Sequence, residues 1–345
     1  MKEYKLAIVG ATGVVGRKVV EIIQEYNLPI SHCEFFATRK SAGTDFFFNG
    51  KQCLVKELKE DSFEQGFDFA IFSAGSNASK HYAPIAARSG CIVVDNSSAF
   101  RMDPDVPLVV PEVNAEEIKN NKGIIANPNC STIQAVIPLK ALDDKYTIKR
   151  IVYSTYQAVS GAGHEGIVDL ERGLEGEEPK KFPYPIVNNC IPHIDSFMEN
   201  GYTKEEEKMI NETRKILKRP DLKITATTVR VPVLNSHSES INVEFEEKFD
   251  LDELKNVLKN SNGVIVQDDP ENNIYPLALN ATGHDESFVG RIRRDYSVDS
   301  GINFWCVADN IRKGAASNAV QIVQKLIEYD TETVSYTHLT LPMIR

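Results

Sequence analysis

The sequence lacks the features of several protein classes. No apolar run approaches the ~18 residues of a membrane span, and the first residues run into a strand-like segment without a signal-peptide hydrophobic region. The six cysteines have no paired spacing and no Cys-x-x-Cys motif, and no Cys/His cluster has metal-ligand spacing. With 49 Asp and Glu against 39 Lys and Arg, the net charge is −10. We therefore expect a cytoplasmic protein without a metal site, disulfide framework, membrane span or nucleic-acid partner.

The first half of the chain has the pattern of a dinucleotide-binding domain. Residues 5–9 form a continuous apolar strand, glycines follow at Gly10, Gly13 and Gly16, and helical periodicity begins at residue 17. Glycines in this context permit a tight turn and close approach of a pyrophosphate to the helix N-terminus. The spacing G-x-x-G-x-x-G differs from the usual G-x-G-x-x-G, so a turn without a ligand is the alternative.

The end of the second predicted strand favours NADP over NAD. An NAD site usually has an Asp or Glu after this strand, where it holds the ribose 2′-hydroxyl. Here the strand is followed by Thr38, Arg39, Lys40 and Ser41. Two cations and two hydroxyls suit a 2′-phosphate, and no carboxylate is present to repel it. A solvated basic turn is the alternative.

Strands and helices continue to alternate up to residue 95. Residues 67–72 and 91–95 are strand-like, residues 78–89 have a helical pattern, and a small-residue turn at 73–76 would lie beside the nucleotide. This alternation predicts a mainly parallel, doubly wound sheet. In the second half, strand-like segments at 151–159, 223–233, 240–246 and 288–295 have few helices between them, which predicts an antiparallel or mixed sheet.

Cys130 is the candidate nucleophile. It lies in the sequence Asn-Pro-Asn-Cys-Ser-Thr at 127–132, between a short buried strand and a helical pattern. Unpaired backbone N–H groups and the positive end of the dipole favour a thiolate at a helix N-terminus. The same N–H groups could bind an oxyanion. A small buried residue is the alternative, since free cysteines are usually in the core.

Other polar residues suit the chemistry of an acidic substrate. Arg230 can hold a carboxylate, and His237, seven residues later, is of the type that transfers protons near neutral pH. Gln157 at a strand end can orient a carbonyl, and Arg101 follows small hydroxyl residues that would suit a phosphate. Each of these, taken alone, also fits an ordinary polar residue. Glu206 lies three residues after Thr203, which predicts a capping box at the start of a helix over 202–217.

The order and spacing of these motifs resemble the aspartate-β-semialdehyde dehydrogenase family over residues 4–329. The motifs lie at 10–16, 95–101, 127–134, 157–163, 230–237 and 288–293. Residues 202–217 and the Ser-His-Ser-Glu sequence at 236–239 are more similar to the branch common in Gram-positive bacteria. The resemblance implies a Rossmann-type doubly wound parallel sheet plus an α+β catalytic and dimerisation domain with a mixed sheet. We place these domains at 1–128, completed by a helix at about 312–330, and at 129–311.

The resemblance also implies an activity and its residues. The reaction is reversible, NADP-dependent conversion of L-aspartate 4-semialdehyde and phosphate to 4-aspartyl phosphate. In cells it runs reductively and feeds lysine (through diaminopimelate), threonine, methionine and isoleucine synthesis, and the enzyme is a homodimer or homotetramer. Cys130 is then the acyl-thioester nucleophile, His237 the acid/base, and Gln157 the orienting residue. The substrate residues are Arg101, Asn129, Glu206, Lys208 and Arg230, with Arg230 on the α-carboxylate, Glu206 on the ammonium group, and Arg101 and Lys208 on phosphate. The nucleotide residues are Gly10, Ala11, Thr12, Gly13, Val14, Val15, Thr38, Arg39, Lys40, Ser41, Ser73, Gly75, Ser160, Gly161 and Asn310.

Two departures and two alternatives accompany this resemblance. His164 stands where we expect an uncharged residue, and residues 334–345 have no helical pattern and no family counterpart, which indicates a non-native tail. An N-acetyl-γ-glutamyl-phosphate reductase would share the architecture and the thioester chemistry, but it expects Pro-Gly-Cys-Tyr-Pro-Thr around its nucleophile. A non-catalytic nucleotide-binding paralogue is the other alternative, although such proteins tend to lose the nucleophile or the base.

Overall fold

A computed structural model describes residues 2–339 of the chain, with the backbone alone from residue 332 onward. In this part of the chain the strands are β1 (Tyr4–Val9), β2 (Ile30–Ala37), β3 (Asp45–Phe48), β4 (Lys51–Leu54), β5 (Lys56–Glu57), β6 (Phe69–Phe72), β7 (Ile92–Asp95), β8 (Ile124–Ala126), β9 (Ile148–Gln157), β10 (Lys223–Arg230), β11 (His237–Phe245), β12 (Val264–Val266), β13 (Ser287–Arg294) and β14 (Gly301–Ala308). The α-helices are α1 (Val14–Glu25), α2 (Ser76–Arg88), α3 (Pro111–Asn114), α4 (Cys130–Tyr146), α5 (His164–Leu174), α6 (Lys204–Ile216), α7 (Leu251–Lys259), α8 (Ala278–Ala281) and α9 (Asn318–Leu339).

The chain divides into two compact units. The first contains the residues up to Pro111, Ala115–Asn127 and the segment from Ser317. The second contains Glu112–Asn114 and Pro128–Ala316. Within residues 2–339, no helix combines the length and the apolar character that crossing a membrane requires.

The first unit is built on a six-stranded parallel sheet. Its strand order is β5-β2-β1-β6-β7-β8, so the chain winds outward from β1 in both directions. The last four residues of β1 are completely buried, as expected for a parallel strand covered on both faces. The predicted doubly wound parallel sheet is confirmed.

Helix α9 packs against the first unit. The Asn318 side-chain amide donates hydrogen bonds to the Val109 carbonyl (2.9 Å) and to Asn127 Oδ1 (2.7 Å). Further along the helix, Asp330 Oδ2 accepts from the Tyr4 hydroxyl of β1 at 2.7 Å. The sequence pattern predicts that this helix ends at about residue 330, whereas its helical backbone continues to Leu339. Residues 340–345 of the expected non-native tail lie outside the described residues.

The second unit contains a six-stranded mixed sheet, in the order β10-β9-β11-β14-β13-β12. The two outer pairs are parallel and the three inner pairs are antiparallel. Helix α4 packs against four of the strands and α6 packs against β10. The prediction of a mixed sheet is confirmed.

The strand directions bring three of the predicted site residues to one edge of this sheet. Gln157 is the last residue of β9 and Arg230 the last of β10, and these parallel strands pair the two residues directly. His237 is the first residue of β11, which runs antiparallel to β9. The end of β9, the end of β10 and the start of β11 therefore lie at the same edge.

The glycine turn after β1 gives a stability prediction. A Cβ atom added at Gly16 would lie 2.2 Å from the Gly10 carbonyl oxygen and 2.8 Å from the Ala11 Cα, both backbone atoms. At Gly13 the nearest atom, the same oxygen, would be 3.4 Å away. We expect Gly16→Ala to lower the free energy of unfolding by about 1–3 kcal/mol and the control Gly13→Ala to lower it less. Urea denaturation of both variants measures this, and equal midpoints would contradict the packing argument.

Candidate active site

Cys130 is the first residue of α4. Asn129 precedes it with extended backbone and caps the helix, since its Oδ1 accepts from the N–H groups of Ser131 (3.0 Å) and Thr132 (3.3 Å). The helix thus begins at Cys130, where the sequence pattern predicts a helix N-terminus. The thiol therefore lies at the positive end of a 17-residue helix dipole.

The thiol of Cys130 contacts the imidazole of His237. Cys130 Sγ lies 3.2 Å from His237 Nε2, although 107 positions separate the two residues in the sequence. His237 is fully buried and Cys130 is half-buried, so the sulfur is the more accessible partner. This contact joins the start of α4 to the edge of the mixed sheet, and it brings together a nucleophile and a proton-transfer residue.

The hydrogen bonds of His237 define its proton position. The backbone N–H of Ala158 donates to His237 Nδ1 at 3.0 Å, so Nδ1 carries no proton and the neutral ring has its proton on Nε2. Burial, followed by the positive charge of Arg230, lowers the pKa of His237 to about 3. The ring therefore stays neutral near pH 7 and directs an N–H group toward the sulfur of Cys130.

Arg230 lies beside the same backbone segment. Its Nη1 donates to the Ala158 carbonyl at 2.6 Å, and its guanidinium carbon lies 6.0 Å from the centre of the Phe182 ring. Burial lowers the pKa of Arg230, but the guanidinium stays charged at any physiological pH. The backbone of Ala158 thus positions both the imidazole and the guanidinium.

Glu205 is the carboxylate at the centre of the site. Its Oε1 accepts from Asn129 Nδ2 (2.9 Å) and Gln157 Nε2 (3.1 Å), and its Oε2 accepts from Lys208 Nζ (3.0 Å). Burial acts to raise the pKa of Glu205, but the charge of Lys208 and these hydrogen bonds together lower it. Glu205 is therefore a buried, ionised group that connects the helix cap to Gln157.

Glu206 forms the capping box that the sequence predicts. Its Oε2 accepts from the Thr203 N–H (2.7 Å) in the predicted capping box, and its Oε1 accepts from the Thr228 N–H (3.0 Å) of β10. Both oxygens are thus engaged by backbone, so the structure gives the carboxylate position beside Asn129 to Glu205 instead. Burial along α6 does not separate the two glutamates, because residues 205, 206, 209, 210, 212, 213 and 216 are all buried.

Glu212 is a second carboxylate that sequence reasoning missed. Its Oε2 accepts from the backbone N–H of Asn129 at 2.6 Å, and the residue is almost fully buried. Glu205 and Glu212 lie seven positions apart, two turns along one face of α6. Together they attach the residue before the nucleophile to this helix.

Ser160, Gly161 and Asn310 lie together near the edge of the sheet. Ser160 and Gly161 belong to a short 3-10 helix, Val159–Ala162, that follows β9. Asn310 Nδ2 donates to Ser160 Oγ at 3.0 Å, and Asn310 Oδ1 accepts from the Ser236 N–H at 2.8 Å. A Cβ atom at Gly161 would lie 3.2 Å from His237 Nε2, so a side chain there would crowd the imidazole. His164 lies just beyond, as the first residue of α5.

The remaining predicted residues belong to the first unit. Arg101 is buried there, with its Nε donating to the Asn127 carbonyl and its Nη2 to the Asn96 carbonyl, both at 2.9 Å. The glycine turn leads into α1, and because its N-cap residue is Gly13, no side chain caps this helix. After β2, Thr38, Arg39 and Lys40 are exposed and Ser41 is half-buried. Ser73 and Gly75 follow β6, and Gly75 caps α2.

Among the described residues, no three His, Cys, Asp or Glu side chains are placed to hold a metal ion.

Comparison with known proteins shows the class of enzyme to which the chain belongs. Residues 5–121 match the NAD binding domain of semialdehyde dehydrogenases, and residues 139–313 match their dimerisation domain. A crystal structure of aspartate semialdehyde dehydrogenase II from Vibrio cholerae complexed with ASA superposes with a TM-score of 0.92 at 44% identity, covering 95% of this chain and 99% of the other. The chain is thus a member of the semialdehyde dehydrogenase class.

The curated relatives give the particular family. The aspartate-semialdehyde dehydrogenase of Aquifex aeolicus is 53% identical over 94% of this chain and 98% of its own length. That of Campylobacter jejuni is 50% identical over 95% and 98%. The chain belongs to the aspartate-semialdehyde dehydrogenase family, as the resemblance of its motifs predicted.

The hydrogen bond from Ala158 predicts one protonation state of His237. We expect nitrogen NMR of the histidine-labelled protein to show His237 as the neutral Nε2–H tautomer from about pH 5 to 8. The His237→Asn variant identifies its signals. A ring that becomes doubly protonated near pH 6.5 would contradict the burial and the donor at Nδ1.

Proposed function

We propose that the protein converts L-aspartate 4-semialdehyde and phosphate reversibly to 4-aspartyl phosphate, with NADP as the cofactor and Cys130 as the covalent nucleophile. The main support for this proposal is the 3.2 Å contact between Cys130 Sγ and His237 Nε2 at the start of a helix. Buried or half-buried Arg230, Glu205 and Lys208 beside it supply both signs of charge, which suits a substrate that carries a carboxylate, an ammonium group and a phosphate.

In the reductive direction Cys130 attacks the acyl phosphate as a thiolate. A C–S bond forms and the C–O bond to phosphate breaks, so phosphate leaves with the bond's electron pair and the acyl group is held as a thioester. The backbone N–H groups of the first turn of α4 favour the thiolate. A thioester is reduced more readily than a carboxylate, which is why the covalent step divides a difficult reaction into two feasible ones.

His237 stabilises the charge that develops at the reacting oxygen. Its Nε2–H points toward Cys130, where the carbonyl oxygen of the bound acyl group would develop negative charge. When the C–S bond then breaks, the carbonyl re-forms and the sulfur leaves as the thiolate, to which the same N–H can donate. In this proposal the part of His237, the acid/base of the family resemblance, is therefore hydrogen-bond donation from Nε2, because burial keeps the ring neutral.

The substrate residues follow from the charges around Cys130. Arg230 binds the α-carboxylate, and Lys208 binds phosphate together with Arg101, as the family resemblance implies. We assign the ammonium group to Glu205 in place of Glu206, because Glu205 contacts Asn129 and Gln157 of the site, whereas Glu206 contacts backbone N–H groups of Thr203 and β10. Gln157 and Asn129 both donate to Glu205, so they position this carboxylate as well as the acyl group.

The first unit fits a dinucleotide with a 2′-phosphate. The N-terminus of α1 has no side-chain cap and no acidic residue in its first turn, which leaves its N–H groups for a pyrophosphate. Gly10 has φ of +85°, and a Cβ there would lie 2.4 Å from the Ser73 carbonyl oxygen. Gly10 to Val15, Ser73 and Gly75 would hold the dinucleotide, Thr38 to Ser41 its 2′-phosphate, and Ser160, Gly161 and Asn310 its nicotinamide end. When bound, the nicotinamide supplies or accepts the hydride.

Several further assignments rest on the family resemblance. Residues 1–128 with the C-terminal helix would be the NADP-binding domain, and residues 129–311 would catalyse the reaction and form a homodimer or homotetramer. The enzyme would act in the cytoplasm in lysine, threonine, methionine and isoleucine synthesis. The Gram-positive-like branch and the non-native origin of residues 334–345 stay predictions from the sequence.

The activity is tested by phosphate-dependent reduction of NADP⁺ with L-aspartate 4-semialdehyde. We expect turnover by the wild type and a loss of at least ~10³-fold in Cys130→Ala, because the substitution removes the thiol that contacts His237. Replacing NADP⁺ with NAD⁺ should raise the cofactor KM. A folded wild type that reduces no cofactor would contradict the proposal and favour the non-catalytic alternative, whereas activity only with N-acetylglutamate semialdehyde would favour the related reductase.

The two neighbouring glutamates separate substrate binding from helix capping. Glu205→Gln should raise the KM for the semialdehyde about tenfold or more, because an uncharged amide binds an ammonium group weakly. Glu206→Gln, the matched control on the next position, should mainly lower the melting temperature, since it weakens the capping box and the bond to β10. A larger increase of the semialdehyde KM in Glu206→Gln than in Glu205→Gln would show that Glu206 binds the ammonium group.

A further inference from the structure

Lys208 is shared between two carboxylates. Its Nζ lies 3.0 Å from Glu205 Oε2 and 2.8 Å from Asp195 Oδ2. Burial acts to lower the pKa of Lys208, but the two negative charges raise it to about 12, so the ammonium group is charged at every working pH. The proposed function gives this cation to phosphate, whereas the structure shows a carboxylate on each side of it.

The two carboxylates are not equivalent. Glu205 is 6% exposed and holds Asn129 and Gln157 with its other oxygen, so moving it would break the core of the site. Asp195 is 37% exposed, and among the described residues its other oxygen accepts only from the adjacent Ser196 N–H, at 2.8 Å. An anion that reaches Lys208 from solvent therefore competes with Asp195 and leaves Glu205 in place.

The backbone holds Asp195 in this position. Upstream, Ile191 forms a two-way backbone hydrogen-bonded bridge with Arg230, and downstream Phe197 bridges to Thr203 at the cap of α6. Between these anchors Asp195 has φ of +66°, a left-handed conformation that is unfavourable for a non-glycine residue. Anchors on both sides maintain a conformation that the residue would not adopt by itself.

We propose that Asp195 is an internal competitor for the phosphate that binds Lys208, and that it thereby determines the phosphate affinity of the enzyme. This inference rests on the proposed role of Lys208. Without phosphate, Asp195 shares the Lys208 ammonium with Glu205. When phosphate binds, Lys208 turns to it, and the nearby Asp195 carboxylate repels the like charge. The same repulsion assists phosphate release after the thioester has formed.

The opposite role for Asp195 predicts the opposite sign. If Asp195 only orients Lys208 toward phosphate, removing its charge would weaken phosphate binding. If Asp195 competes with phosphate, removing its charge would strengthen binding. Asp195→Asn distinguishes the two because the amide keeps the size of the side chain, loses its charge and can still accept from Lys208 through its one oxygen.

The experiment measures the phosphate KM and the semialdehyde KM during NADP⁺ reduction, with phosphate binding measured by calorimetry. We expect Asp195→Asn to lower the phosphate KM and Kd about threefold to tenfold and to leave the semialdehyde KM unchanged. Asp105→Asn is the matched control, because Asp105 forms a 2.8 Å ion pair with Lys122 in the first unit. In a Lys208→Met background, Asp195→Asn should no longer improve phosphate binding.

The outcomes distinguish a failure of this inference from a failure of the proposed phosphate-binding role of Lys208. If Lys208→Met raises the phosphate KM but Asp195→Asn leaves it unchanged or raises it, the competitor role is overturned while the phosphate role of Lys208 stands. If Lys208→Met leaves the phosphate KM unchanged, the assignment of Lys208 fails and the inference fails with it.

Discussion

The attachment of Asn129 to helix α6 is the interaction on which the site depends. One residue caps α4 with its side-chain oxygen, donates its side-chain amide to Glu205 and donates its backbone N–H to Glu212. These bonds fix where α4 begins and hence where the Cys130 thiol lies. The sheet fixes the other half of the pair, since His237 opens β11 at the edge where Gln157 and Arg230 end their strands.

The site combines buried charges with buried polar groups, and each charge has partners that keep it ionised. Glu205 has Lys208, Asn129 and Gln157, and Arg230 has the Ala158 carbonyl. Glu239, two residues after His237 on the same strand, shows the contrast. It is completely buried and neither of its oxygens has a hydrogen-bond partner among the described residues, so burial, followed by the charge of Glu205, raises its pKa well above the usual range. Glu239 is therefore a neutral carboxylic acid, and it lies close enough to the ionised Glu205 to be affected by its charge.

Local patterns made the architecture predictable. The glycine turn, the alternation of strands and helices, and the scarcity of helices later in the chain each depend on residues near one another in sequence, and the two predicted sheets are confirmed. The capping box of Thr203 and Glu206 was equally readable, as both partners lie within four residues. The choice between the adjacent glutamates is not readable from the sequence, because it depends on which side of α6 faces Asn129. The contacts of Ala158 with His237 and Arg230, and of Asp195 with Lys208, join segments between 13 and 79 positions apart, and no local pattern predicts them.

The most direct test of the covalent mechanism omits phosphate. Mixing the enzyme with L-aspartate 4-semialdehyde and NADP⁺ alone should give a burst of NADPH close to one per active site, since the acyl group stays on the enzyme until phosphate removes it. Mass spectrometry of the quenched protein should then find the acyl group on the peptide that contains Cys130. Continuous turnover at the full rate without phosphate, or acylation at another residue, would contradict a Cys130 thioester.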